Sequence, residues 1–165
     1  MTQLELFAKE MAREGITTRK MLSVVPNDKF DWKPHPKSMT IRQLTTHIAE
    51  LPAWPGMVLQ TDELDFATMD YQPTIVNSTA ELMEIFEKNL AAAQNDLAAG
   101  DESTLGKTWT LRTGDHIHSN DTKADVIRMA LSQIIHHRAQ LGVFLRLLDI
   151  PIPGSYGPSA DDTNF

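Results

Sequence analysis

Two imidazoles and two carboxamides crowd one short stretch, Gln133-Ile134-Ile135-His136-His137-Arg138-Ala139-Gln140-Leu141, in the middle of what reads as a long core helix. Polar groups carried into an apolar interior are costly unless something pairs with them. A buried metal site is the most economical reason for so many at once. The chain contains no cysteine, which excludes thiolate ligands, disulfides and a cysteine nucleophile of its own. Any metal must be held by histidine, carboxylate, amide or water.

Angular position decides which of these groups can reach the interior. Counted at about 100° per residue from Val126, the apolar stripe centres near Ala130, Leu141 and Leu148; His137 lies about 30° from that centre and Gln133, one turn earlier, about 40° further round. The two can aim at a common point. His136, about 130° from the centre, should face solvent or an interface. On an earlier helix His47 follows the ridge Leu44, His47, Leu51, Trp54 and can look into the same interior. Bundles assemble metal sites from side chains on facing helices, so His47 and His137 are candidate ligands with Gln133 as a third. The plainer readings stay open: an inward histidine is commonly a hydrogen-bonded core residue, and a buried glutamine can cross-link two helices. Glu50, one turn beyond His47, is either a partner of that imidazole or a surface residue. His35, His116 and His118 read as solvated loop residues, although His116 and His118 have a spacing that a strand would turn into a chelating pair.

The elements that must position these groups are helical. Leu4, Leu6, Phe7, Met11, Ile16, Met21 and Leu22 predict a first helix over about residues 2 to 24, weakened at Gly15. Pro26 to Ser38 reads as an ordered loop pinned by Phe30 and Trp32. Thr40 and Gln43 have capping-box spacing and open a second helix through Ile41, Leu44, Ile48 and Leu51, which Pro52 and Pro55 should kink or end. Thr61 to Asn77, with Asp62, Glu63, Asp65, Asp70 and Pro73, reads as a solvated connecting loop anchored by Leu64 and Phe66; it lacks the glycine and spacing of an EF-hand. Ser78 and Glu81 cap a third helix running to Gly100. Trp109 to His118 reads as an extended excursion turning at Gly114. Thr122 and Asp125 begin a fourth helix that Pro151 stops. Four amphipathic segments joined by loops predict an all-α four-helix bundle with longer connections than the shortest hairpins, forming one domain over residues 1–165.

Composition removes several classes of function. A net charge of −7 with no basic block argues against nucleic acid. No apolar run is long enough to span a bilayer, and Met1 to Glu5 lacks the features of an export signal, so a cytoplasmic location is the default. There is no Gly-x-Ser-x-Gly elbow, no phosphate-cradling glycine loop and no His-Glu-x-x-His helix.

Four motifs, Asp31-Trp32-Lys33-Pro34-His35, Thr46-His47-Ile48-Ala49-Glu50, His136-His137-Arg138-Ala139-Gln140-Leu141 and Pro153-Gly154-Ser155-Tyr156-Gly157-Pro158-Ser159-Ala160-Asp161, occur in an order that resembles the DinB-like superfamily of metal-binding four-helix bundles. The resemblance covers nearly the whole chain. It implies a divalent cation, nickel or zinc, held by one histidine of the second helix and two of the fourth, which map onto His47, position 133 and His137. Gln133 departs from that pattern, and an amide oxygen is a weaker ligand than imidazole for such metals. Related proteins include transferases and isomerases that use low-molecular-weight thiols such as bacillithiol or mycothiol, and many are homodimers, which would suit the flank carrying His136 and Val143. The implied function is a metal-dependent thiol S-transferase acting on a small-molecule substrate. The alternatives are a metal-dependent small-molecule hydrolase and a non-catalytic, dimeric, stress-related binding protein.

Overall fold

The computed structural model describes residues 1–69 and 74–163. Five helices make four rods: α1 (Gln3–Ser23), α2 (Ile41–Glu50) continued by α3 (Trp54–Gln60), α4 (Thr79–Ala99) and α5 (Lys123–Leu147). Around the bundle α1 and α2 each pack against both α4 and α5, so α1 lies diagonally opposite α2. The bundle is as expected. A three-stranded sheet, absent from the all-α reading, is added at one side.

Caps account for where the helices begin. At α2 the Thr40 hydroxyl accepts from the Gln43 amide and the Gln43 side chain accepts from the Thr40 amide, closing the predicted box. At α4 half of that exchange is redirected: Ser78 accepts from Glu81 N, while the Glu81 carboxylate accepts from Asn77 N. The second rod kinks rather than ends. A 3-10 turn over Leu51–Ala53 joins α2 to α3, and both prolines fall in first turns, where a missing amide costs little. The fourth rod stops before Pro151: Asp149 takes φ 57°, and Ile150 N and Asp149 N return to Leu145 O and Arg146 O, a Schellman closure.

Some apolar positions do not do what their spacing implied. Leu6 and Ile16 are 52% and 56% exposed. Gly15, read as a weak point, is a close approach: a Cβ there would lie 2.7 Å from Leu90 Cδ2, so α1 and α4 meet through it.

The largest departure is in residues 61 to 77. Glu63–Asp65 forms strand β1, which pairs in parallel with β2 (Thr108–Thr113), itself antiparallel to β3 (His116–Thr122) across a turn at Gly114, φ 56°. Asp65 is therefore buried rather than solvated; its Oδ1 accepts from Gly114 N and Ala67 N and its Oδ2 lies 3.2 Å from Arg112. Those amide donors, with Arg112 adding to them, hold its carboxyl below the usual range. Leu64 packs on the core as expected, but Phe66, expected as an anchor, is 46% exposed. Asp70 and Pro73 lie outside the described residues. Among the described residues no helix is long and apolar enough to cross a membrane.

Candidate functional site

His47 and His137 meet. Their ring centroids are 4.7 Å apart with planes at 77°, one ring from α2 and one from α5. The direction of each follows from its helix. Arg138, the residue after His137, is buried against α1, where it bonds Glu14 and Thr18. A step of about 100° along α5 then turns His137 toward α2. Ile48 and Ala49, fully buried, hold α2 against the bundle and leave His47 half-buried at the edge of that face.

A second contact orients one ring. The His137 Nδ1 lies 2.8 Å from Gln140 Oε1; with the carboxamide oxygen accepting, Nδ1 carries the proton and Nε2 keeps its lone pair. An outer-shell acceptor on the far nitrogen is how metal-binding imidazoles are commonly held. Gln140 stood inside the sequence motif without a role. The general signal was an amide one turn after a histidine on the same helix.

The surroundings of His47 disfavour its charged form. Burial lowers its pKa below the ordinary imidazole range, the neighbouring His137 lowers it further, and Glu50 works in the opposite direction. The Glu50 carboxylate accepts from the Thr74 hydroxyl at 2.6 Å and borders, with His47, two adjacent cavities. One of these has a mixed lining, with Gln43, Thr46 and Thr74 beside Met39 and Ile75. The Thr46 hydroxyl there is buried with no hydrogen-bond partner among the described residues. The other is apolar.

Gln133 is half-buried on α5 one turn before His137, and among the described residues no hydrogen bond ties it to either ring. His136 is exposed, as expected, and its ring lies 4.9 Å from that of His137. His116 and His118 are exposed too, but on β3 rather than in a loop, with ring centroids 4.7 Å apart and His118 Nε2 2.8 Å from Thr113 Oγ1. His35 is exposed and its Nδ1 accepts from Lys37 N.

Among the described residues no three His, Asp or Glu side chains converge as a ready-made metal cage. The pair by itself has suitable dimensions. Two imidazoles that share one cation at ~2.0–2.1 Å per nitrogen, at roughly tetrahedral angles, place their ring centroids about 5 Å apart. The spacing of the two rings thus matches that of a shared cation, and Gln133 lies one turn before His137 on the same helix.

The family model of the DinB superfamily matches residues 12–141. In the solved structures, a DinB-like protein from Bacillus cereus ATCC 10987 is 20% identical with a TM-score of 0.73, over 94% of this chain and 100% of its own. A DinB-like protein from Bacillus subtilis is 16% identical with a TM-score of 0.72, over 91% and 97%. A mycothiol-dependent maleylpyruvate isomerase is 16% identical with a TM-score of 0.62; the match covers 86% of this chain but 63% of the isomerase. Likenesses at this identity establish the fold. No curated protein matches the chain.

Proposed function

The chain belongs to the DinB superfamily, and on that premise we propose that it is a metal-dependent enzyme of the thiol S-transferase type, holding a divalent cation, nickel or zinc, on His47 and His137 with Gln133 as a third ligand. The observation that carries this reading is the pair of imidazoles from separate rods, 4.7 Å apart. A solved neighbour being mycothiol-dependent supports a thiol as cosubstrate. A cation bound there supplies a lowered pKa for a coordinated thiol or water.

The chain's own residues prepare the place. Gln140 Oε1 keeps the proton on His137 Nδ1, so Nε2 is the donor. Glu50 sets a negative charge beside His47, which offsets the cost of a cation in a half-buried position. With no cysteine in the chain, the nucleophilic sulfur comes from the cosubstrate: its S–H proton passes to water, its electron pair forms the S–C bond, and any leaving group departs with the pair of the broken bond.

Calorimetric titration of metal-stripped protein with Ni²⁺ or Zn²⁺ should give one cation per chain. It should also raise the melting temperature, since at a hundredfold excess over Kd binding adds about 2.7 kcal/mol. His47→Ala and His137→Ala should each abolish both effects. The exposed His116 and His118 are the necessary control, and their double alanine variant should bind as the parent does. Binding that survives both interior substitutions and vanishes in the control would remove the proposal. Conjugation of bacillithiol or mycothiol by the loaded protein is the activity expected; ester turnover without thiol would put a hydrolase in its place.

The proposal includes a homodimer. His136, Val143 and Leu147 fall within about 20° of one line along α5, and Val143 and Leu147 are each 60% exposed. Val143→Glu should convert a sedimenting dimer to a monomer; a wild type that sediments as a monomer rules the dimer out.

A further inference from the structure

Next to His47 and Glu50 lies a cavity of about 340 Å³ whose remaining wall is apolar: Trp54 and Met57 on one side, Leu64, Phe66 and Met69 on the other. We infer that this cavity receives the apolar body, a one- or two-ring aromatic group, of the electrophile whose reacting carbon is presented at His47. The inference rests on the transferase reading above for what happens at His47, and on the cavity alone for what kind of molecule enters.

The wall is built on fixed elements. Trp54 and Met57 stand one turn apart on α3, and Trp54 is backed by the buried Trp109 at 6.3 Å, whose indole N–H donates to Thr61 Oγ1 at 3.0 Å. Leu64 lies on β1, held to β2 in register with Leu111. Arg112 clamps that strand through Glu63 at 2.8 Å and Asp65 at 3.2 Å. An ion pair at each side of Leu64 therefore fixes the cavity's far side, and a wall fixed in advance adds little ordering cost to binding.

What the wall leaves exposed is the second argument. Phe66, which directly follows β1, and Met69, three residues later, are 46% and 41% exposed, an arrangement that places apolar surface in water for no gain in the core. Small-molecule sites have this make-up, mostly apolar with a few polar groups at one end, and the volume is at the lower end of their range, about 300–1,000 Å³. Flat aromatic surfaces on Trp54 and Phe66 favour a ring over a flexible chain. The polar end is His47 and Glu50, so a molecule seated here has one edge at the imidazole and its body away from it.

The test separates seating from chemistry. Metal-stripped protein titrated with 1,3-dinitrobenzene, which has no leaving group, should bind it with a shift of the Trp54 indole N–H resonance, and acetone should not produce that shift. Phe66→Ser, at a half-exposed position where folding is not at risk, should weaken binding about tenfold, and Met57→Gln should do the same. In the loaded protein, 1-chloro-2,4-dinitrobenzene with bacillithiol should lose chloride as the S–C bond forms, with KM raised in Phe66→Ser and kcat little changed. Unaltered dinitrobenzene affinity in both wall variants, or equal binding of acetone, overturns the inference. Binding with the expected variant pattern but no thiol conjugation upholds the cavity's assignment and overturns the transferase reading instead.

Discussion

Arg138→Met should lower the stability of the protein by about 3–5 kcal/mol, the cost of leaving one member of a buried ion pair uncompensated. Arg138 and Glu14 are 4% and 6% exposed at their side chains and lie 2.7 Å apart. The same guanidinium bonds the Thr18 hydroxyl at 3.1 Å and donates to the Tyr156 hydroxyl at 3.0 Å, which in turn donates to Glu14 at 2.8 Å. With Arg138 gone, the Glu14 carboxylate stays inside with one hydroxyl donor from Tyr156. The double variant Glu14→Leu with Arg138→Met should recover most of the loss, because two well-packed apolar groups in place of a buried pair are often neutral. Urea unfolding of both variants gives the answer. A single variant within about 1 kcal/mol of wild type would mean that the pair is not the tie between α1 and α5 that the geometry makes it.

That network was invisible in the sequence for a definite reason. Nothing beside Arg138 in the sequence marks it as buried, because its burial depends on a glutamate from a helix at the other end of the chain. The closing motif had the same limitation. Tyr156 turns out to reach the Arg138 and Glu14 pair, while Asp161 binds Arg146 and accepts from Ile152 N at 3.0 Å, and Asp162 accepts from Gly154 N at 3.1 Å. The segment is thereby tied to α5 through Arg146 and to the buried ion pair through Tyr156.

Local chemistry, by contrast, could be read directly. The Thr40 and Gln43 box, the Ser78 cap and the turn at Gly114 each need only neighbouring residues, and each is where its residues place it. β1 could not be read, because three residues rich in acid carry no strand pattern of their own; they are extended because β2, far along the chain, supplies hydrogen bonds and Arg112 supplies the counter-charge. Phe66 follows from the same cause. Once Glu63 to Asp65 are pinned to β2, the next apolar side chain is carried out over the cavity instead of into the core.

The helical count brings His47 and His137 to facing sides of α2 and α5 because each lies within a regular stretch of helix, where about 100° per residue holds even over the ten residues of α2. It gave nothing on Gln140, whose role depends on a side-chain torsion, and for Glu50 it left partner and surface residue as alternatives, because the two cavities that Glu50 borders are formed by distant segments. It also left His116 and His118 without a frame, since their spacing acquires meaning only when β2 and β3 pair.

Gln133→His should tighten the binding of nickel or zinc about a hundredfold, equivalent to about 2.7 kcal/mol. The substitution replaces an amide oxygen by a third imidazole one turn before His137, and imidazole is the stronger ligand for both metals. The position can accept it: Gln133 is half-buried, sits in the middle of α5, and among the described residues gives up no hydrogen bond when replaced. Stability without metal should therefore stay within about 1 kcal/mol of wild type. Gln133→Ala completes the comparison. A weakening of about tenfold would show the amide acting as a ligand, whereas no change would leave His47 and His137 holding the cation with water in the third position. If the histidine variant binds no tighter than wild type, position 133 does not point at the site, and the expectation drawn from the family's spacing fails at that residue while the pair of rings remains.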